Sequence, residues 1–137
     1  MKYLGLDLGT KTLGLSISNG MIATSLKTIR YEDEELLLNE LQDIVKEYNI
    51  GTLVLGFPKN MNNTVGPRGE ATIAFKEKLE EKFHILVELQ DERLSTVAAH
   101  NYMIEGNMSR KKRKEKVDSL AATIILQTYL DKRGKNL

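Results

Sequence analysis

The stretch Tyr3-Leu4-Gly5-Leu6-Asp7-Leu8-Gly9-Thr10-Lys11-Thr12-Leu13-Gly14 decides the fold of this chain. It reads as a buried strand, a tight turn and a second strand, with an aspartate near the end of the first apolar run. A carboxylate inside a buried strand is desolvated and needs a cation, a donor or a metal as partner. Gly9 and Gly14 keep the nearby backbone bare, so a phosphate or a metal can approach. The plainer reading of Asp7 is a turn aspartate that caps the hairpin, since Asp before Gly-Thr is common in turns.

Working outward, residues 2–8, 12–18 and 21–29 read as three strands, and Asn19-Gly20 predicts a two-residue hairpin turn between the last two. Residues 33–48 read as a helix, because Leu37, Leu41, Ile44, Val45 and Tyr48 recur at helical spacing. Thr52-Leu53-Val54-Leu55-Gly56-Phe57 is a continuous apolar run, typical of a strand buried on both faces. A long loop from Pro58 to Gly69 follows, then a helix over 70–83, a strand over 85–89, and helices over 95–105 and about 114–131. The order β-β-β-α-β-α-β-α-α predicts an α/β fold. Its mixed five-stranded sheet has three antiparallel strands and then two parallel additions, with helices on both faces. In such sheets ligands bind outside the carboxyl ends of the parallel strands. Asp7, the loop after Phe57 and Asp91-Glu92 all fall at such ends.

The length of 137 residues suits one domain over 1–137, and 41% hydrophobic with 28% charged residues is the composition of a folded globular chain. With no cysteine there are no disulfides, thiolate metal sites or cysteine nucleophile. The chain opens directly into a predicted strand without a signal-peptide pattern, and no apolar run has the length of a membrane span, so a cytoplasmic location is expected. The net charge of +1 hides a strong asymmetry. Arg110-Lys111-Lys112-Arg113-Lys114-Glu115-Lys116 carries six cations and one anion, +5 locally, which leaves −4 for the rest. A basic cluster on an otherwise acidic chain points to contact with a polyanion, the alternative being a solvated linker or helix start.

Asp91 and Glu92 follow the fifth strand, and Asp118 sits early in the last helix, where Val117, Leu120, Ala121 and Ile124 make one apolar face. Either acidic position alone also suits a helix N-terminus. Together with Asp7, carboxylates from a strand, a strand end and a helix start can hold Mg²⁺ or Mn²⁺. Two such ions roughly 4 Å apart can activate a water and stabilise the leaving oxygen of a phosphodiester. His84 and His100 lack metal-site spacing, which disfavours zinc.

These residues resemble the YqgF family of RNase H-like proteins, described as pre-16S rRNA nucleases or as Holliday junction resolvases. The resemblance covers nearly the whole chain. It rests on Asp7-Leu8-Gly9-Thr10-Lys11-Thr12-Leu13-Gly14, on Gly56-Phe57-Pro58-Lys59-Asn60-Met61-Asn62 with Gly66 and Gly69, on Asp91-Glu92-Arg93-Leu94-Ser95-Thr96, and on Asp118-Ser119-Leu120-Ala121-Ala122 with Ile125-Leu126. It implies an RNase H-like fold and a metal-dependent nuclease acting on structured nucleic acid, RNA being favoured over branched DNA, as a monomer or a homodimer. It also implies Asp7, Glu92 and Asp118 as metal-binding carboxylates, with Asp91 a fourth catalytic candidate. Lys11, Lys59, Arg68, Arg93, Arg110 and Arg113 are then candidate nucleic-acid contacts. Many RNase H-like nucleases carry an acid at the end of the fourth strand, where this chain has Gly56-Phe57-Pro58. Two other readings compete. Asp-Leu-Gly-Thr also resembles the phosphate loop of actin-like and sugar-kinase ATPases, and the fold could serve a non-catalytic nucleic-acid-binding module.

Overall fold

The computed structural model describes residues 2–58, 65–92 and 110–135, with the backbone alone for 110–118 and 135. Strands β1 (Lys2–Leu8), β2 (Thr12–Ser18) and β3 (Ala23–Arg30) lead into helix α1 (Glu34–Glu47). Strand β4 (Ile50–Phe57), helix α2 (Pro67–Phe83), strand β5 (Leu86–Asp91) and helix α3 (Arg110–Lys135) follow. The sheet order is β3-β2-β1-β4-β5, with β1 in the centre. β1–β2 and β2–β3 pair antiparallel, whereas β1–β4 and β4–β5 pair parallel. The mixed five-stranded α/β sheet expected from the sequence is the one observed.

The alternation of side chains along each strand splits the core in two. Leu4, Leu6, Leu13, Leu15, Leu53 and Leu55 face α1 and α2, where they meet Leu37, Leu41, Phe75 and Leu79. Tyr3 and Val54 face the other way, against Ile125, Leu126 and Leu130 of α3. β4 thus buries both its faces, as its unbroken apolar run predicts.

Local chemistry sets the element ends. Asp33 caps α1 by accepting from the Glu35 backbone N–H at 2.8 Å. Pro67 opens α2 at a position where its missing N–H costs nothing, three residues earlier than the sequence suggests. His84 closes α2 in the left-handed region, φ 54°, which gives this histidine a structural post. The basic run belongs to the first turns of α3, which starts at Arg110 rather than near 114.

The hairpin turn differs from expectation. Ser18 pairs with Ala23, so the loop has four residues, Asn19 to Ile22, and only Gly20 has positive φ. The Ser18 hydroxyl and the Asn19 side chain accept from the backbone N–H of Gly20 and Met21, at 3.0 and 3.4 Å. These local bonds satisfy the turn without the double positive φ that a two-residue Asn-Gly turn requires.

α3 runs antiparallel to β1. Tyr129 packs on Tyr3, and three and seven residues earlier Leu126 and Ala122 lie over Gly5. The Ser16 hydroxyl donates to the Ala122 carbonyl at 2.7 Å, a buried bond that fixes the helix on the sheet. Among the described residues no helix is long and apolar enough to cross a membrane. The predicted helix over 95–105 and most of the loop after Pro58 lie outside the described residues.

Candidate active site

Asp7 is the sixth residue of β1, only 8% exposed, and points to the α3 face. Its antiparallel partner on β2 is Gly14. Leu6 pairs with Leu55 on β4, and the same register carried one residue further sets Gly56 on its other side. The carboxylate therefore stands between two strands that carry no side chain at its level. Steric room around a buried charge comes here from glycine on both flanks.

Glu92 fills one of those gaps. It is the first residue after β5, and its backbone N–H donates to the Phe57 carbonyl at 3.1 Å. Its carboxylate lies over Gly56, where a Cβ would collide with Oε2 and fall 2.6 Å from Ile125 Cδ1. The Asp7 and Glu92 carboxyl groups share a hydrogen bond. Burial, then the Asp7 charge and that hydrogen bond, push the Glu92 carboxyl up to about 8, against the opposing pull of Arg68. Desolvated and hydrogen-bonded to Asp7, Glu92 keeps its proton at neutral pH.

Asp91, the last residue of β5, pairs in register with Phe57 and is half-buried. It adds to the negative field on Glu92, but strand alternation turns it to the opposite side of the sheet. Glu92, not Asp91, is thus the acid that meets Asp7. Asp118 lies in α3, one turn before Ala122. That turn rises ~6 Å towards the carboxyl end of β1, close to the ~6.6 Å that separate Gly5 from Asp7 along the strand. The backbone of position 118 is accordingly level with Asp7, while its side chain lies outside the described residues.

Arg68, in the first turn of α2, donates from Nη2 to the Leu8 carbonyl at 3.2 Å, and its charge favours the ionised form of Glu92. The Tyr31 hydroxyl donates to the Gly9 carbonyl at 3.3 Å. Two consecutive carbonyls behind Asp7 are therefore held by side chains from separate elements. Nothing in the local sequence announces Tyr31 for this post, nor Gly56 as the seat of Glu92. Only the strand register exposes the second. Lys11 is exposed in the β1–β2 turn. Lys59 and Arg93, and the side chains of Arg110 and Arg113, lie outside the described residues.

Hard oxygen donors from Asp7 and Glu92, drawn together beside bare backbone, suit a divalent cation of the Mg²⁺ class. A cation there would take the place of the Glu92 proton. Among the described residues, no group of three or more acidic or histidine side chains completes a metal cluster.

The profile described as "RuvX: Holliday junction resolvase" matches residues 1–132. The chain belongs to the RuvX family. A relative from Geobacillus sp. (strain WCH70), named "Putative pre-16S rRNA nuclease", is 51% identical, with 97% of this chain and 99% of that protein covered. The fold is also that of Thermus thermophilus RuvC, solved in complex with a Holliday junction substrate. That match has a TM-score of 0.60 at 13% identity, covering 98% of this chain and 96% of that one. The fowlpox virus Holliday junction resolvase matches with a TM-score of 0.61 at 13% identity, covering 97% and 99%. The RNase H-like architecture expected of this RuvX chain agrees with these resolvase folds.

Proposed function

We propose that this RuvX protein is a metal-dependent nuclease that hydrolyses phosphodiester bonds in structured nucleic acid, in the cytoplasm, with the 5′ region of pre-16S rRNA as substrate. The observation that carries the reading is the Asp7–Glu92 pair, held over Gly56 at the carboxyl ends of the central strands. The name shared by relatives half identical over nearly the whole chain supports RNA as substrate.

Asp7, Glu92 and Asp118 would hold Mg²⁺ or Mn²⁺, in a site of the two-ion type. When bound, the metal supplies Lewis-acid chemistry, activating water and taking up charge on the leaving oxygen. The chain supplies the rest. Gly14 leaves the β2 side of the pair without a side chain, where a phosphate group can approach, while Gly56 seats Glu92. Arg68 offers a guanidinium next to it, suited to a phosphate oxygen. Tyr31 and Arg68 hold the backbone behind Asp7, so the carboxylate meets its substrate without rearranging.

The test is cleavage of end-labelled pre-16S rRNA, single-stranded RNA and a four-way DNA junction, each with Mg²⁺, Mn²⁺ or EDTA. The expected outcome is metal-dependent cutting of pre-16S rRNA that is lost in Asp7→Asn. Preferred cutting of the junction would replace RNA processing by the resolvase reading, which the family description favours. Binding without cutting by both forms would make the chain a non-catalytic module.

A further inference from the structure

Around the sheet tip from Asp7, on the α1–α2 side, lies a pocket of about 470 Å³. It opens between the β1–β2 turn, the segment entering α1, and the first half of α2. Its size is that of a small-ligand site. Buried Phe75 closes the floor, Tyr31 forms one wall, and the exposed Ala71 and Ala74 form another. The Tyr31 ring is fixed at both ends, since its hydroxyl donates to Gly9 and its backbone N–H donates to the Lys11 carbonyl at 2.9 Å. Arg68 stands at the mouth and is shared, for it lines the pocket and also acts on Glu92.

We infer that this pocket receives one unpaired nucleobase of the substrate strand, with the adjoining phosphate on Arg68 beside the acidic pair. The inference rests on the nuclease reading and names a feature of its substrate. Aromatic faces with small side chains opposite accept the π-face of any base. A guanidinium at the mouth suits the phosphate that follows. Continuity with the carboxyl pair through one arginine is what favours a nucleotide of the cleaved strand over an unrelated small molecule. A base can enter only if it is unpaired, so the pocket selects loops, ends and branch points over continuous duplex.

The test is a ¹H–¹⁵N titration of the whole protein with AMP and UMP. Ribose 5-phosphate and inorganic phosphate form separate arms. The nucleotides are expected to move the amide resonances of Gly9, Tyr31 and Ala74 at concentrations at least tenfold below those ribose 5-phosphate requires. Ala74→Glu, which puts a carboxylate into the pocket from an exposed helix position, should weaken that response at least tenfold. Ala71→Leu, which fills the pocket without charge, should act in the same direction. Both should raise KM for structured RNA with kcat changed less than twofold. An equal response to inorganic phosphate would reduce the site to an anion contact on Arg68 and overturn the inference. Nucleotide-induced shifts away from the pocket, or variants that bind like the native protein, would overturn it too. The titration requires no cleavage. A native protein that cuts no substrate would therefore refute the nuclease reading alone, and the spectra would still decide the pocket.

Discussion

Glu92 is an acid whose native environment favours the neutral form, and this has a definite consequence for stability. Its carboxyl is raised from 4.5 to about 8 in the folded chain. Between those values the native state keeps a proton that the unfolded state releases. The Glu92 contribution to stability is therefore full below about pH 4.5 and is lost as pH rises towards 8. Calorimetry in EDTA at pH 5 and pH 8 should show this decline, and Glu92→Gln should remove most of it. The difference between the two proteins isolates Glu92 from other titrating groups, and should reach a few kcal/mol by pH 8. Mg²⁺ or Mn²⁺ at pH 8 should restore stability to the native protein and not to the variant. Gly56 belongs to the same argument. Gly56→Ala places a methyl on the Glu92 carboxylate, so cleavage should drop at least tenfold, measured as kcat/KM, while the sheet still forms.

At the scale of elements, the seating of α3 decides whether position 118 stays level with Asp7. Among the contacts that set it are the Ser16–Ala122 hydrogen bond and the bare surface of Gly5 under Leu126. Ser16→Ala leaves the buried Ala122 carbonyl without that donor and should cost about 1–2 kcal/mol in urea unfolding. Gly5→Ala is more severe. Its Cβ would fall on the Ser16 hydroxyl, 2.8 Å from Leu126 Cβ and 2.9 Å from the Ala122 carbonyl oxygen. Overpacking of this kind costs roughly 1–3 kcal/mol. Here it should also lift α3 and lower cleavage, which separates it from Ser16→Ala in an activity assay at equal folded fraction. Much of this arrangement is legible in the sequence, because element type follows from periodicity. The alternating runs of β1 and β2, the apolar block of β4 and the stripe of α1 each reflect burial that only one geometry satisfies. The four-residue hairpin loop was not legible, because the local bonds of Ser18 and Asn19 outweigh the propensity of Asn-Gly. Periodicity alone did not separate Asp91 from Glu92 either, and only the family resemblance favoured Glu92. Asp91 and Glu92 differ only in which side of the sheet they face, and that depends on where β5 ends.

At the scale of the whole molecule, charge is polarised rather than abundant. A total of +1 combines +5 over residues 110–116 with −4 elsewhere. Because α3 runs antiparallel to β1, its basic first turns extend from the same end of the sheet that carries Asp7 and Glu92. The helix N-terminus adds its own partial positive charge at that end. A nucleic acid is then drawn to one pole, and the acidic remainder repels it elsewhere, so the attraction also orients. Binding of structured RNA should weaken steeply between 50 and 200 mM salt, as it does when several phosphates displace their counterions. Replacing Arg110 and Arg113 with glutamine should lower the slope of log K against log salt by about 1–2. The loss of affinity should be similar for all sequences, since phosphate contacts carry no base information. Asp7→Asn should leave that slope unchanged while abolishing cleavage. An affinity indifferent to ionic strength would mean that the basic turns of α3 do not meet the substrate, and that the acidic pair must recruit it through Arg68 and the metal alone.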